Sequence, residues 1–105
     1  MRPVEFQRYL DANSILRVRF ELEQGKVLKF VIQLECRFGE EWVAVVRYDT
    51  AHGFAHCDQL HPYEETTKIE MPTQNYSEAL TVAMDDLIAN WQSYRRRYET
   101  WLRRK

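Results

Sequence analysis

A chain of 105 residues has room for one domain, and 45% hydrophobic residues with only three glycines and three prolines exclude a disordered or collagen-like chain. Fifteen Lys and Arg against sixteen Asp and Glu give a net charge of −1, which excludes a uniformly basic nucleic-acid binder. No apolar run reaches the ~20 residues of a membrane span, the N-terminus lacks a signal-peptide core, and Cys36 and Cys57 are too few for a disulfide framework, so a cytoplasmic protein with reduced thiols is expected.

Residues 3–11 read as a short helix, with Pro3 in the first turn and Phe6, Tyr9 and Leu10 on one side. From Leu16 the pattern alternates: Leu16, Val18, Phe20 and Leu22 face one way and Arg17, Arg19, Glu21 and Glu23 the other, as in a half-buried strand. Gln24, Gly25 and Lys26 turn the chain into a second stripe of Leu28, Phe30, Ile32, Leu34 and Cys36. Placing the two stripes on one face pairs Phe20 with Phe30 and Val18 with Ile32, and sets Glu21 opposite Lys29. After a turn at Phe38–Glu41, a third strand carries Trp42, Ala44, Val46 and Tyr48 inward, with Val43, Val45, Arg47 and Asp49 on the other face. A fourth runs from Phe54 to Leu60 with Ala55 and Cys57 inward, which puts His56 and Asp58 beside Arg47 and Asp49 and spares them an unpaired burial. Residues 66–71 add a short fifth strand, completing a sheet over about 14–71.

Pro72 and Thr73 end the strands, and Asn75 followed by Glu78 resembles a helix capping box. Leu80, Met84, Leu87, Trp91, Tyr94, Tyr98 and Trp101 then recur at helical spacing over about residues 76–103. A helix of that length, on the order of 40 Å, is about twice as long as ordinary strands, so its second half calls for another partner. The expected fold class is α+β, an antiparallel meander of four or five strands with one long C-terminal helix on one face.

All three histidines fall in the stretch RYDTAHGFAHCDQLHPYEE. Histidine is the residue type suited to acid–base chemistry at neutral pH, so His52 or His56 can serve as base or acid, Arg47 can bind a phosphate bidentately, and Asp49 or Asp58 can orient an imidazole. That set suits a metal-independent ribonuclease, with Arg17, Arg19 and Arg37 extending the track. The plainer reading makes Asp49 and His52 turn residues and the histidines solvated edge groups. A metal needs several side chains converging on one point, and the H-x3-H and H-x4-H spacings match no ligand motif, so no metal and no cofactor is expected. Cys57 adjoins His56, but adjacent strand residues point to opposite faces, which argues against a thiol nucleophile.

The tail WQSYRRRYETWLRRK carries six basic groups against one acid, +5, and leaves residues 1–90 at −6. Tyr94, Tyr98 and Trp101 interleaved with Arg95, Arg96, Arg97, Arg103, Arg104 and Lys105 form the pattern of a nucleic-acid or acidic-partner surface. The same residues suit packing on the sheet, a homodimer seam, or an anionic membrane surface.

The stretch Arg47-Tyr48-Asp49-Thr50-Ala51-His52, followed by His56 and His61, resembles the R-[WY]-D-N-A-x-H-H segment of the TumE-type toxins, short prokaryotic proteins encoded beside an antitoxin. Thr50 stands where that segment has Asn, and His52-Gly53 replaces its paired histidines. The chain is also similar to small uncharacterised prokaryotic proteins with an R-Y-D-x-x-H-G-x-x-H stretch and an arginine-rich final helix. The toxin resemblance implies RNA cleavage or RNA binding, with an antitoxin as partner. The other expectation is a non-enzymatic interaction module or homodimer using the basic aromatic helix.

Overall fold

The computed structural model describes residues 1–104; Lys105, the last basic residue of the tail, lies outside the described residues. Among the described residues, six strands form one antiparallel sheet in sequence order: β1 (Arg2–Asp11), β2 (Ser14–Glu23), β3 (Lys26–Phe38), β4 (Glu41–Asp49), β5 (His56–Gln59) and β6 (Thr67–Glu70). A single long helix, α1 (Tyr76–Arg103), packs on one face. The fold is α+β as the patterning predicts, with six strands in place of four or five.

The additional strand is the segment read as a helix. Residues 3–11 belong to β1, which pairs with β2 along almost its whole length, Val4 opposite Phe20 and Phe6 opposite Val18. Pairing gives that backbone a ladder of hydrogen bonds and sets Val4 and Phe6 on the apolar side of the sheet. Helical spacing of Phe6, Tyr9 and Leu10 offers no comparable gain: Tyr9 is exposed, and Leu10 is the extra residue of a bulge. Pro3 is tolerated because β1 is an edge strand.

β2 and β3 pair in the register set by their apolar stripes, Phe20 opposite Phe30 and Val18 opposite Ile32, and Lys29 Nζ meets Glu21 at 2.8 Å. Their connection has positive φ at both Gln24 (51°) and Gly25 (78°), the left-handed pair that matches a tight hairpin turn to the twist of its strands.

Two bulges shift the inward stripe. Glu21 lies opposite Lys29 but Leu22 lies opposite Val27, so Leu28 is the inserted residue and stands 40% exposed instead of buried. In β4, Leu34 faces Val46 and Glu35 faces Ala44, making Val45 the inserted residue. Val43 therefore joins the Cys36 stripe, and Trp42 turns outward at 42% exposure. One extra residue reverses the facing of everything beyond it, because side chains alternate with a period of two.

The core lies between the sheet and α1, built on Leu16, Ile32, Leu34, Val46 and Leu87. Asn75 caps the helix, its Oδ1 accepting from Glu78 N–H at 2.8 Å, while Glu78 Oε2 reaches back to Gln74 N–H at 3.0 Å. Tyr76 meets Phe30 edge-on and Tyr98 stacks on Phe38, so α1 runs along β3 in the same direction. Its second half has its partners inside the chain: β3, with 13 residues, spans about 43 Å at ~3.3 Å per residue and matches the 28-residue helix at about 42 Å. Both cysteines are free and buried. Among the described residues, no helix is long and apolar enough to cross a membrane.

Candidate functional site

The register of β5 builds the site. Arg47 lies opposite Asp58 and Asp49 opposite His56, while β6 sets Lys68 opposite Asp58 and Glu70 opposite His56. Directly opposed residues share a face, so all six lie on the side of the sheet away from α1, and Tyr48 and Cys57 lie beneath the helix.

The centre of the group is compact and dry. His56 Nε2 is 2.9 Å from Asp49 Oδ1, 3.6 Å from Asp58 Oδ1 and 3.2 Å from Lys68 Nζ. Lys68 Nζ is also 3.5 Å from Asp58 Oδ1. His56 is 1% exposed, and Asp49 and Asp58 are 7% exposed each. The segment between β4 and β5 provides the cover. Asp49 Oδ1 accepts from Ala51 N–H at 3.0 Å, and Thr50 Oγ1 accepts from Phe30 N–H at 3.2 Å, which fix the chain as it leaves β4. The rings of Phe54 and His52 then lie 5.2 and 5.9 Å from the His56 ring.

Of the expected acid–base pair, only His52 is exposed. His56 is committed within the protein: its Nδ1 donates to the Phe54 carbonyl at 3.2 Å, and its Nε2 faces the carboxylates and Lys68. The plainer reading of the histidines as solvated edge groups therefore fits His52 and not His56, because the loop that supplies His52 closes over His56. Arg47 is half-buried; Gln33 Oε1 holds its Nε at 2.7 Å, and its terminal nitrogens make no hydrogen bond among the described residues.

His61 stands apart. It stacks on Trp101 at 4.4 Å, its Nδ1 accepts from the N–H groups of Tyr63 and Glu64, and its Nε2 donates to Glu64 Oε2 at 2.9 Å. With Tyr63 Oη donating to the Leu102 carbonyl at 2.8 Å, it ties the β5–β6 connection to the end of α1. Cys57 lies on the face opposite His56, and burial pushes its thiol up to about 11, which leaves it protonated and unsuited to nucleophilic attack at neutral pH.

The basic features are mostly occupied. On the outer face Arg17 pairs with Glu35, Arg19 with Glu5 and Lys29 with Glu21, so a continuous cationic track is absent among them. Arg37 gives its Nε to the Gly39 carbonyl. In the tail, Arg95 binds the carbonyls of Asn13 and Arg37, Arg97 lies over the rings of Tyr94 and Trp101, and Arg103 approaches Glu99 at 3.8 Å. Tyr94 donates to Asp86 and Tyr98 is buried against Phe38. Arg96 and Arg104 remain exposed.

Lys68 is the member that sequence reasoning missed. The alternation of Thr67, Ile69 and Met71 against Lys68 and Glu70 separates the faces of β6, but only the β5–β6 register says that Lys68 arrives opposite Asp58.

Neither a curated protein nor a solved structure matches the chain. The model of one family, a domain of unknown function designated DUF7718, matches residues 1–104, which is the whole described length, and the chain belongs to that family.

Proposed function

We propose that the protein engages a phosphodiester of RNA at the outer-face cluster and cleaves it with His52 as the proton-transfer group. The observation that carries this reading is the β5 register, which gathers Arg47, Lys68 and the carboxylate-bound His56 beneath the accessible ring of His52. Arg47, anchored through Nε, and Lys68 supply positive charge for the phosphate, and His56 is a positioning residue under His52. His52 takes the 2′-hydroxyl proton as the 2′-oxygen bonds to phosphorus; the bond to the 5′-oxygen breaks, and that oxygen takes a proton from water. The pairing of Arg17, Arg19 and Lys29 with acids limits the footprint to a few phosphates near Arg47 and Lys68, with an antitoxin-like partner covering the same face.

The test is cleavage of a short single-stranded RNA by the wild type, His52→Ala, Arg47→Ala and Arg96→Ala. Loss of about 10²–10⁴-fold in His52→Ala, with Arg96→Ala unchanged, is expected. Equal cleavage by the wild type, His52→Ala and Arg47→Ala, or none by the wild type, overturns the reading.

A second reading, a protein-interaction module, is favoured by one observation. The helix does not cover the flank of the sheet at β1, and a groove of about 310 Å³ between Phe6, Phe20, Leu80 and Met84 runs beside the free β1 edge. Strand addition of a second copy at that edge shifts the expected interface from the basic end of α1 to Phe6, which is 41% exposed. In sedimentation velocity, a wild-type dimer converted to monomer by Phe6→Glu is expected; a wild-type monomer at every concentration counts against it.

A further inference from the structure

We propose that Asp49, His56 and Asp58 form a binding site for a divalent first-row transition-metal ion, through Asp49 Oδ1, His56 Nε2 and Asp58 Oδ1. The inference goes beyond RNA cleavage and does not depend on it.

The geometry is that of a ligand set. One donor atom from each of the three residues lies within 4.8 Å of the others. With metal–ligand bonds of about 2.0–2.2 Å, neighbouring ligands stand about 2.8–3.1 Å apart in octahedral and about 3.3–3.6 Å apart in tetrahedral coordination. The separations from Nε2, 2.9 and 3.6 Å, need only small adjustments to meet either set. Strand pairing imposes this convergence: His56 and Asp58 are two apart on β5 and share a face, and Asp49 lies directly across from His56 on β4.

The hydrogen bonding points the same way. Nδ1 reaches the Phe54 carbonyl at 3.2 Å and can bond to it only as a donor, which turns Nε2 toward Asp49 Oδ1 and Asp58 Oδ1. A metal-binding histidine whose other nitrogen donates to a backbone carbonyl is the usual outer-shell arrangement. Independently, Asp58 Oδ1 is buried with no hydrogen-bond partner among the described residues, although a buried carboxylate oxygen ordinarily has one.

Lys68 explains how the site is held without metal. Its ammonium lies 3.2 Å from Nε2 and 3.5 Å from Asp58 Oδ1. It comes from a four-residue edge strand, and its side chain is 41% exposed, so it can withdraw to solvent when a metal ion enters. Lys68 is thus a competitor of the metal, and on release it becomes available to an anionic ligand. Two carboxylates and one imidazole favour an ion between Mn²⁺ and Zn²⁺ over the thiol-seeking ions, and three protein ligands leave coordination positions for water.

The test is titration of the full chain with Co²⁺, followed by its visible absorption, in the wild type, Asp58→Asn, Lys68→Met and His61→Gln. One equivalent is expected to bind with d–d bands and no thiolate charge-transfer band. Loss even of an outer-shell partner costs about 10–100-fold in affinity, so removing the direct carboxylate ligand at Asp58 should cost at least about 100-fold. Lys68→Met should bind several-fold tighter, and His61→Gln should match the wild type. Should Asp58→Asn fail to fold, Mn²⁺ broadening of the wild-type amide signals of residues 49, 56 and 58 locates the ion instead. Absence of binding in both the wild type and Lys68→Met overturns the site, as do an undiminished affinity in Asp58→Asn, a thiolate band, or broadening centred elsewhere. None of these readouts uses RNA, so an inactive but metal-loaded protein would reject the ribonuclease reading alone.

Discussion

Asp86→Ala should lower the stability of the fold by about 3–5 kcal/mol, read as a shift of the urea midpoint at unchanged slope. One carboxylate oxygen, Asp86 Oδ2, accepts from two tyrosines, Tyr48 Oη at 2.7 Å and Tyr94 Oη at 2.6 Å, and the other accepts from Asn90 Nδ2 at 2.8 Å. Tyr48 lies in β4 and Tyr94 on α1, so the carboxylate helps to fasten the helix to the sheet. Hydrogen bonds to a charged acceptor contribute about 1.5–3 kcal/mol each, and truncating the shared acceptor leaves two phenols unpaired in a half-buried position. Tyr48→Phe removes one donor and keeps the acceptor satisfied by Tyr94, so a loss of about 1–2 kcal/mol is expected. A loss in Asp86→Ala no larger than in Tyr48→Phe would show that water replaces the carboxylate.

The same cluster makes the fold sensitive to alkali. Burial, and then the hydrogen bond to Asp86, hold the phenols of Tyr48 and Tyr94 well above their ordinary value, while burial raises the Cys57 thiol from 9.0 to about 11. Above the ordinary values the unfolded chain releases these protons and the folded chain keeps them, so the unfolded state binds fewer protons and stability falls as pH rises. For Cys57 the contribution is fully present below about pH 9 and is lost towards pH 11, on the order of 2–3 kcal/mol. The phenols extend the decline above pH 10. Cys57→Ala should flatten the first part of that curve.

Much of this arrangement is legible in the chain. The stripes Leu16-Val18-Phe20 and Phe30-Ile32-Leu34 carry their own register, because only one pairing puts both on the helix side and Glu21 beside Lys29. The facing of β5 follows from polarity, since any other choice turns Asp58 and His56 into the apolar core. What is not legible depends on events one residue long. The inserted Leu28 and Val45 reverse the alternation, and no residue type at those positions announces a bulge. β1 shows the competition between two periods: Val4 and Phe6 alternate as in a strand, Phe6 and Leu10 recur as in a helix, and the open edge of β2 decides for the strand. The burial of His56 is likewise tertiary, produced by a loop folding back over β5 and by a lysine arriving from β6.

Replacing Arg95 by alanine should cost about 2–3 kcal/mol of stability, and replacing its neighbour Arg96 should change it by less than about 0.5 kcal/mol. In composition the two are indistinguishable members of the Arg95–Arg97 run. In the fold, Arg95 Nη1 donates to the Asn13 carbonyl at 2.8 Å and Nη2 to the Arg37 carbonyl at 2.7 Å, with the guanidinium 4.6 Å over the Phe38 ring. Asn13 lies in the β1–β2 turn and Arg37 near the end of β3, so one side chain of α1 binds two neighbouring hairpins. The planar fork of arginine serves two carbonyls at once, which a single ammonium cannot reproduce at the same positions. Arg95→Lys should accordingly recover only about half of the loss. Arg96 is exposed, and any part it has in holding an acidic protein partner appears as weaker, less salt-dependent binding at unchanged stability. Equal effects of the two alanine variants on binding, with none on the urea midpoint, would return the whole basic tail to a surface role. The expected split instead assigns Arg95 to the fold and leaves Arg96, Arg103 and Arg104 as exposed cations of this helix end.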